Sequence, residues 1–380
     1  MKHFLLTLCA LCATLSLAAQ EALQPNSLPT SPEQHADRSV TFRYTAPEAK
    51  SVAVVGDFAT EKLSMTRNAE GIWEATTQPL DSELYSYSFE VDGVRVIDPS
   101  NVHTVRDIAT VSNLFIVSGE RGDLYSVQDV PHGTLSKVWY PSPTLGVERR
   151  MTIYTPPGYE EGKGRYPVLY LLHGMGGDEE AWPALGRTAQ ILDNLIAAGK
   201  AEKMIVVMTN GNAIQQAAPG HSAEGLYKPQ FQIPKTMESS FEKSFADVVK
   251  FVDKHYRTIA KREKRAIAGL SMGGFHALHI SRTMPKTFDY VGLFSAATMK
   301  GKDESFYGDM AETLQAQRDN GFELYWIGIG KEDFLWKMNV EFRKQLDAME
   351  FPYTLRISEG GHTWRNWRIY LSEFAPMLFK

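Results

Sequence analysis

Along the first third of this 380-residue chain apolar and polar residues alternate, and further on the alternation gives way to unbroken apolar runs. Val40-Thr41-Phe42-Arg43-Tyr44, Gly71-Ile72-Trp73-Glu74-Ala75-Thr76-Thr77 and Leu84 to Val91 repeat with period two, which predicts strands with one buried face. Asp92-Gly93 then reads as a tight hairpin turn, since that pair tolerates the positive φ such a turn needs. With Ser51 to Phe58, Val94 to Pro99 and Thr110 to Val117, about seven short strands stand at sandwich spacing, predicting a small all-β immunoglobulin-like sandwich over 38–118. Trp73, Tyr85, Tyr87 and Phe89 sit where core aromatics of such a sandwich fall, so no strong sugar-stacking site is read there. Residues 119–132 are polar and turn-rich and are read as a linker.

From Gly133 onward the rhythm changes. Leu135 to Tyr140 and Arg149 to Tyr154 read as an antiparallel edge pair. After them Pro167 to Leu172, Met204 to Met208, Ala266 to Leu270, Tyr290 to Ser295, Leu324 to Ile329 and Tyr353 to Ile357 are short continuous apolar runs, with helical patterns such as Arg187 to Ala198 and Phe241 to Tyr256 between them. Strands apolar on both faces require cover on both faces. The pattern therefore predicts an α/β domain over 133–380, a mostly parallel sheet with helices on both sides and its functional residues beyond the strands' carboxyl ends.

Composition narrows the class. Hydrophobic residues at 43% allow a large core, and a net charge of −5 leaves no basic footprint for nucleic acid. The apolar run Phe4 to Leu17, after Lys2-His3 and before Ala18-Ala19, reads as a secretory signal peptide over 1–19 and is too short for a membrane span. A periplasmic or secreted protein is expected. Both cysteines, Cys9 and Cys12, lie inside that segment, so no disulfide, thiolate metal site or cysteine nucleophile is expected afterwards.

The candidate chemistry centres on Ala266-Ile267-Ala268-Gly269-Leu270-Ser271-Met272-Gly273-Gly274. A predicted strand runs into Gly-x-Ser-x-Gly and a predicted helix follows, the setting of a nucleophile elbow at Ser271. A serine needs a base, and the base needs a carboxylate to fix its tautomer. His362, after Gly360-Gly361, is the histidine directly following a late strand, and Asp333 ends the strand before it, with Glu332 in reserve. The chain order is Ser, Asp, His. The oxyanion formed during acyl transfer needs two N–H donors, assigned to Met272 and to Met175 in His173-Gly174-Met175-Gly176-Gly177, with Gly174 in reserve. His276 and His279 lie three apart on one helix but lack a third ligand, so neither a metal nor a cofactor is expected.

Leu171-Leu172-His173-Gly174-Met175-Gly176-Gly177 with Trp182, Gly269 to Gly274, Lys331-Glu332-Asp333-Phe334 and Gly360-Gly361-His362-Thr363-Trp364 together resemble the esterase D group, which includes the family-one carbohydrate esterases. The segment before them is similar to the early-set sandwich ahead of some such esterases and, more distantly, to glycogen-binding modules. The resemblance implies an α/β-hydrolase fold and a serine esterase releasing feruloyl or acetyl groups from plant polysaccharide, with an acylated polysaccharide or oligosaccharide as partner. It also places Trp182 and Trp364 at the cleft as substrate-binding residues. Asn210 to Ser240, with Pro219-Gly220 and Tyr227, has weak periodicity and is long for a loop, which makes it a candidate lid. A siderophore esterase acting on a catecholate trilactone, and a non-catalytic carbohydrate-binding protein, are the alternatives.

Overall fold

A computed structural model describes residues 28–223 and 228–380. The predicted signal peptide, both cysteines and Tyr227 lie outside the described residues. The chain divides into two compact units: one holds the described residues up to Val55 with Ala59–Pro79 and Ser88–Val102, the other Gly56–Phe58, Leu80–Tyr87 and His103–Lys380.

The first ten strands are β1 (Glu33–Gln34), β2 (Val40–Thr45), β3 (Val52–Gly56), β4 (Leu63–Ser64), β5 (Thr66–Arg67), β6 (Ile72–Thr76), β7 (Leu84–Val91), β8 (Val94–Val96), β9 (Thr104–Asp107) and β10 (Thr110–Ile116). In the first unit β1, β2, β6 and β5 hydrogen-bond in that order, antiparallel throughout. The β7–β8 hairpin turns at Asp92 (φ 48°) and Gly93 (φ 84°), the left-handed pair that the dipeptide predicts. Trp73 is buried and its indole N–H donates to the Ala46 carbonyl, while Phe89 is fully buried, so both rings belong to the packed core.

In the second unit, β9 and β10 form a hairpin and β10 pairs with the first half of β7. The linker predicted over 119–132 holds a short helix, α1 (Glu120–Tyr125), which six residues of mixed polarity do not announce by periodicity. Eight strands follow: β11 (Thr134–Ser142), β12 (Val147–Thr155), β13 (Val168–Leu172), β14 (Ile205–Thr209), β15 (Arg265–Leu270), β16 (Tyr290–Phe294), β17 (Leu324–Gly330) and β18 (Thr354–Ser358). They form one sheet in the order β11-β12-β14-β13-β15-β16-β17-β18. The first two pairings are antiparallel and the rest parallel, so the sheet is the mostly parallel one expected.

Its helices are α2 (Ala181–Ala184), α3 (Thr188–Ala197), α4 (Ser240–His255), α5 (Met272–Thr283), α6 (Glu304–Tyr307), α7 (Met310–Asp319), α8 (Trp336–Ala348) and α9 (Trp364–Phe374). Strand pleating sends successive side chains to opposite faces. In β13, Leu169 and Leu171 join one apolar cluster with Trp182, Leu192 and Phe374, whereas Val168, Tyr170 and Leu172 join another with Phe245, Val252 and Leu278. Two covered faces explain the absence of alternation in these strands.

Candidate active site

Strand β15 ends at Leu270, and α5 begins at Met272. Ser271 between them has φ 54° and ψ −115°, a backbone region costing about 1–3 kcal/mol for a residue with a Cβ. Neighbours hold it there. Its N–H donates to the Phe294 carbonyl at 2.9 Å, and its own carbonyl accepts from Phe275 (3.1 Å) and Ala297 (3.0 Å). Glycine is required on both sides because a Cβ on Gly269 would lie 2.2 Å from the Gly273 carbonyl oxygen, and one on Gly273 would lie 2.3 Å from that of Leu172.

Strands β17 and β18 pair in parallel up to Gly330 and Ser358, so the loops leaving their carboxyl ends start side by side. The contact is close enough that a Cβ on Gly330 would meet the Gly360 carbonyl oxygen at 2.1 Å. Those loops bring Nδ1 of His362 to both oxygens of Asp333, at 3.0 and 2.9 Å. With Nδ1–H donating to the carboxylate, Nε2 is left as the proton acceptor. Burial pushes the Asp333 carboxyl up, but the bonds from His362 and from the Leu335 N–H, with the Ser295 hydroxyl beside them, outweigh it and hold the group below its ordinary value. Glu332, the reserve acid, is exposed and takes no part in this contact. Phe334 and Trp367 flank the imidazole, with ring centroids 4.4 and 4.9 Å away.

Ser271 and His362 line one cavity of about 410 Å³ together with Met175, Phe231, Trp364 and Phe334. No hydrogen bond joins the serine hydroxyl to the ring among the described residues, and such bonds commonly tighten only when substrate is bound. Met272 is the first residue of α5, so its N–H has no intrahelical acceptor. Gly174 lies so close that a Cβ on it would be 3.3 Å from that of Ser271, which places the Gly174-Met175 segment beside the hydroxyl. His173 holds this loop in place: its Nδ1–H donates to the Gly174 carbonyl at 2.7 Å and its Nε2 accepts from the Gly211 N–H at 2.7 Å. Burial lowers its pKa to about 4.

That shift gives a testable pH dependence. His279 behaves similarly, its pKa lowered to about 3 by burial and then by Arg282, whose guanidinium donates to Nδ1. Below the ordinary histidine value of about 6.5 the unfolded chain binds protons that these buried rings refuse, so stability should fall as pH drops from there toward the folded values. Each ring contributes at most about 1.4 kcal/mol per pH unit in that window. Thermal melts from pH 7 to pH 4.5 check it, and a His173→Gln variant should show a flatter slope; identical slopes would reject the assignment for His173.

Some expected residues are placed differently. Trp182 does not line the cavity: it is 1% exposed, donates its indole N–H to the Leu172 carbonyl and packs edge-on beneath Trp364. An apolar pattern cannot tell which side of a strand end a tryptophan will take. Trp364 does line the cavity, and of the stretch read as a lid Phe231 reaches it. His276 pairs with Glu242 at 2.8 Å, both fully buried, and the described residues contain no acid, histidine or cysteine cluster suited to a metal. The aromatic flanks of His362, the Ser295 hydroxyl and the bracing by His173 carry no signal in the sequence pattern. Phe334 was visible only as the neighbour of Asp333.

Residues 142–378 match the Esterase family, and the chain belongs to that family of ester hydrolases. Residues 29–104 match carbohydrate-binding module 48, the isoamylase N-terminal domain. An endo-1,4-beta-xylanase/feruloyl esterase of Xylanibacter ruminicola is 32% identical over 350 residues, 89% of this chain and 44% of that protein. The chain spans less than half the length of the curated relatives it matches, esterase Rv1288 of Mycobacterium tuberculosis among them at 46%. Among solved structures, a ferulic acid esterase is 27% identical with a TM-score of 0.54, covering 64% of this chain and 97% of its own. The enterobactin esterase of Shigella flexneri shares the fold at 20% identity and a TM-score of 0.60, covering 89% of this chain and 92% of its own. No helix among the described residues is long and apolar enough to cross a membrane.

Proposed function

We propose that this chain is a serine carboxylesterase that removes feruloyl or acetyl groups from a plant cell-wall polysaccharide such as xylan, acting outside the cytoplasm. The observation that carries the chemistry is the His362 ring, tethered through Nδ1 to a buried carboxylate and sharing one cavity with a serine held at a strained corner. In this reading Nε2 of His362 takes the Ser271 hydroxyl proton as the oxygen attacks the ester carbonyl carbon, and Asp333 stabilises the imidazolium that forms. The oxyanion is received by the N–H groups of Met272 and Met175. Collapse breaks the bond to the alcohol oxygen, which leaves with the proton from His362. A water then repeats the sequence on the acyl-enzyme, releasing the acid and restoring the serine.

The likeness to proteins named as feruloyl esterases supports the acyl class, and the N-terminal apolar segment supports export. A panel of methyl ferulate, acetylated xylan and a catecholate trilactone tests the substrate. Turnover of the first or second supports the proposal. Turnover of the trilactone alone would replace it with a siderophore esterase, and binding to xylan with no cleavage of any ester would leave a carbohydrate-binding protein.

A further inference from the structure

The β9–β10 hairpin is a second strained corner at the same cavity. Its register places Asp107 opposite Thr110, so the turn is Ile108-Ala109, and Ile108 has φ 54°. A β-branched residue in that region is an outlier that persists only where its surroundings over-determine it. Here they do. Arg106 donates from Nη1 to the Ile108 carbonyl at 2.8 Å and from Nη2 to the buried Asp178 carboxylate at 2.5 Å. Asp178 in turn accepts from the Glu180 N–H, so one guanidinium ties the hairpin to the loop that follows β13. On the other side a Cβ on Gly176 would fall 2.9 Å from Cγ1 of Ile108 and 3.1 Å from the Cα of Phe231. The isoleucine side chain occupies the room that this glycine leaves, and it lines the cavity with Ser271 and His362. Residues 105–141 are matched by neither family model, so no role for this hairpin comes with the family assignment.

We propose that Ile108 is a specificity-determining residue whose side chain forms the apolar wall against the acyl group of an aromatic ester. The inference rests on the esterase reading and deepens it. The departing alcohol must lie next to Nε2 of His362, which gives it its proton, so the acyl group extends away from that ring. Ile108 and Phe231 both approach Gly176, in the loop assigned to receive the oxyanion, and the proposal sets them on the acyl side of the carbonyl. In this arrangement a flat aromatic acyl group covers far more of that wall than an acetyl group, which adds only one methyl beyond the carbonyl.

Two esters with one alcohol, para-nitrophenyl ferulate and para-nitrophenyl acetate, isolate the acyl contribution. In Ile108→Gly, a residue at ease with this φ, kcat/KM for the ferulate should fall about tenfold, mainly through KM, as a lost apolar pocket contact does, while the acetate stays within about twofold. Ile108→Asn, which also tolerates the left-handed region, keeps the hairpin turn and should show the same selective loss. Equal changes for both esters, or no change for either, would overturn the proposal. Wild-type protein inactive on both esters would instead refute the esterase reading itself.

Discussion

Ser271→Ala should abolish ester hydrolysis, lowering kcat by about a millionfold, because the members of such a constellation act as a unit and the loss of the nucleophile alone removes nearly all of their joint effect. Residual turnover about a thousandfold above water is compatible with this, since oxyanion donors and substrate binding survive the substitution. The fold should survive as well. Alanine keeps the Cβ already present at φ 54°, and the main-chain bonds that pin the corner, from Ser271 N–H to Phe294 and from Phe275 and Ala297 to Ser271, do not involve the hydroxyl. Stopped assays on purified variant and parent, beside thermal melts of both, decide it. Turnover within tenfold of the parent would remove Ser271 from the reaction and the proposed chemistry with it.

Gly273→Ala should destabilise the protein by on the order of 4 kcal/mol or more, at the top of the range for single substitutions. The added methyl would stand 2.3 Å from the Leu172 carbonyl oxygen and 2.5 Å from that of His173. Both are backbone atoms at the end of a central strand, which no rotamer change can move aside. Gly93→Ala is the matched control: φ there is 84° but nothing lies within 4 Å of the new methyl. Only conformational strain remains, worth about 1 kcal/mol. Chemical denaturation of the two variants separates steric from torsional cost, and equal losses would show that the elbow relaxes more readily than its geometry indicates.

Much of this site is legible before any coordinates exist, for a local reason. A Gly-x-Ser-x-Gly between a strand pattern and a helix pattern describes a corner some of whose clashes arise within a few residues, although Leu172 and His173 approach Gly273, and Ala296 approaches Gly274, from elsewhere in the chain. Asp333 and His362 are also readable, because one helix links their strands and right-handed crossover makes such strands neighbours. The choice between Asp333 and Glu332 is harder to read, since adjacent residues at a strand end point in different directions and only the packed loop shows which one meets the ring.

Other features have no local signature. Trp182 has the same apolar, strand-following context as a cleft residue, yet it turns inward under Trp364 because the space beneath α9 must be filled. His173 is one polar residue in a glycine-rich loop, and its bracing depends on Gly211, thirty-eight positions later. Ile108 is the clearest case. In the linear pattern it is an apolar residue between two predicted strands, and nothing nearby shows its left-handed backbone or its approach to Gly176.

Period, punctuation and chain order thus specify the elements, the elbow and the succession of serine, aspartate and histidine, because those depend on interactions between residues near one another or on adjacent strands. Which aromatic lines the cavity, which carboxylate meets the imidazole and what closes the wall opposite depend on contacts across tens of residues. Close packing settles such contacts only after the whole sheet and its covering helices are in place.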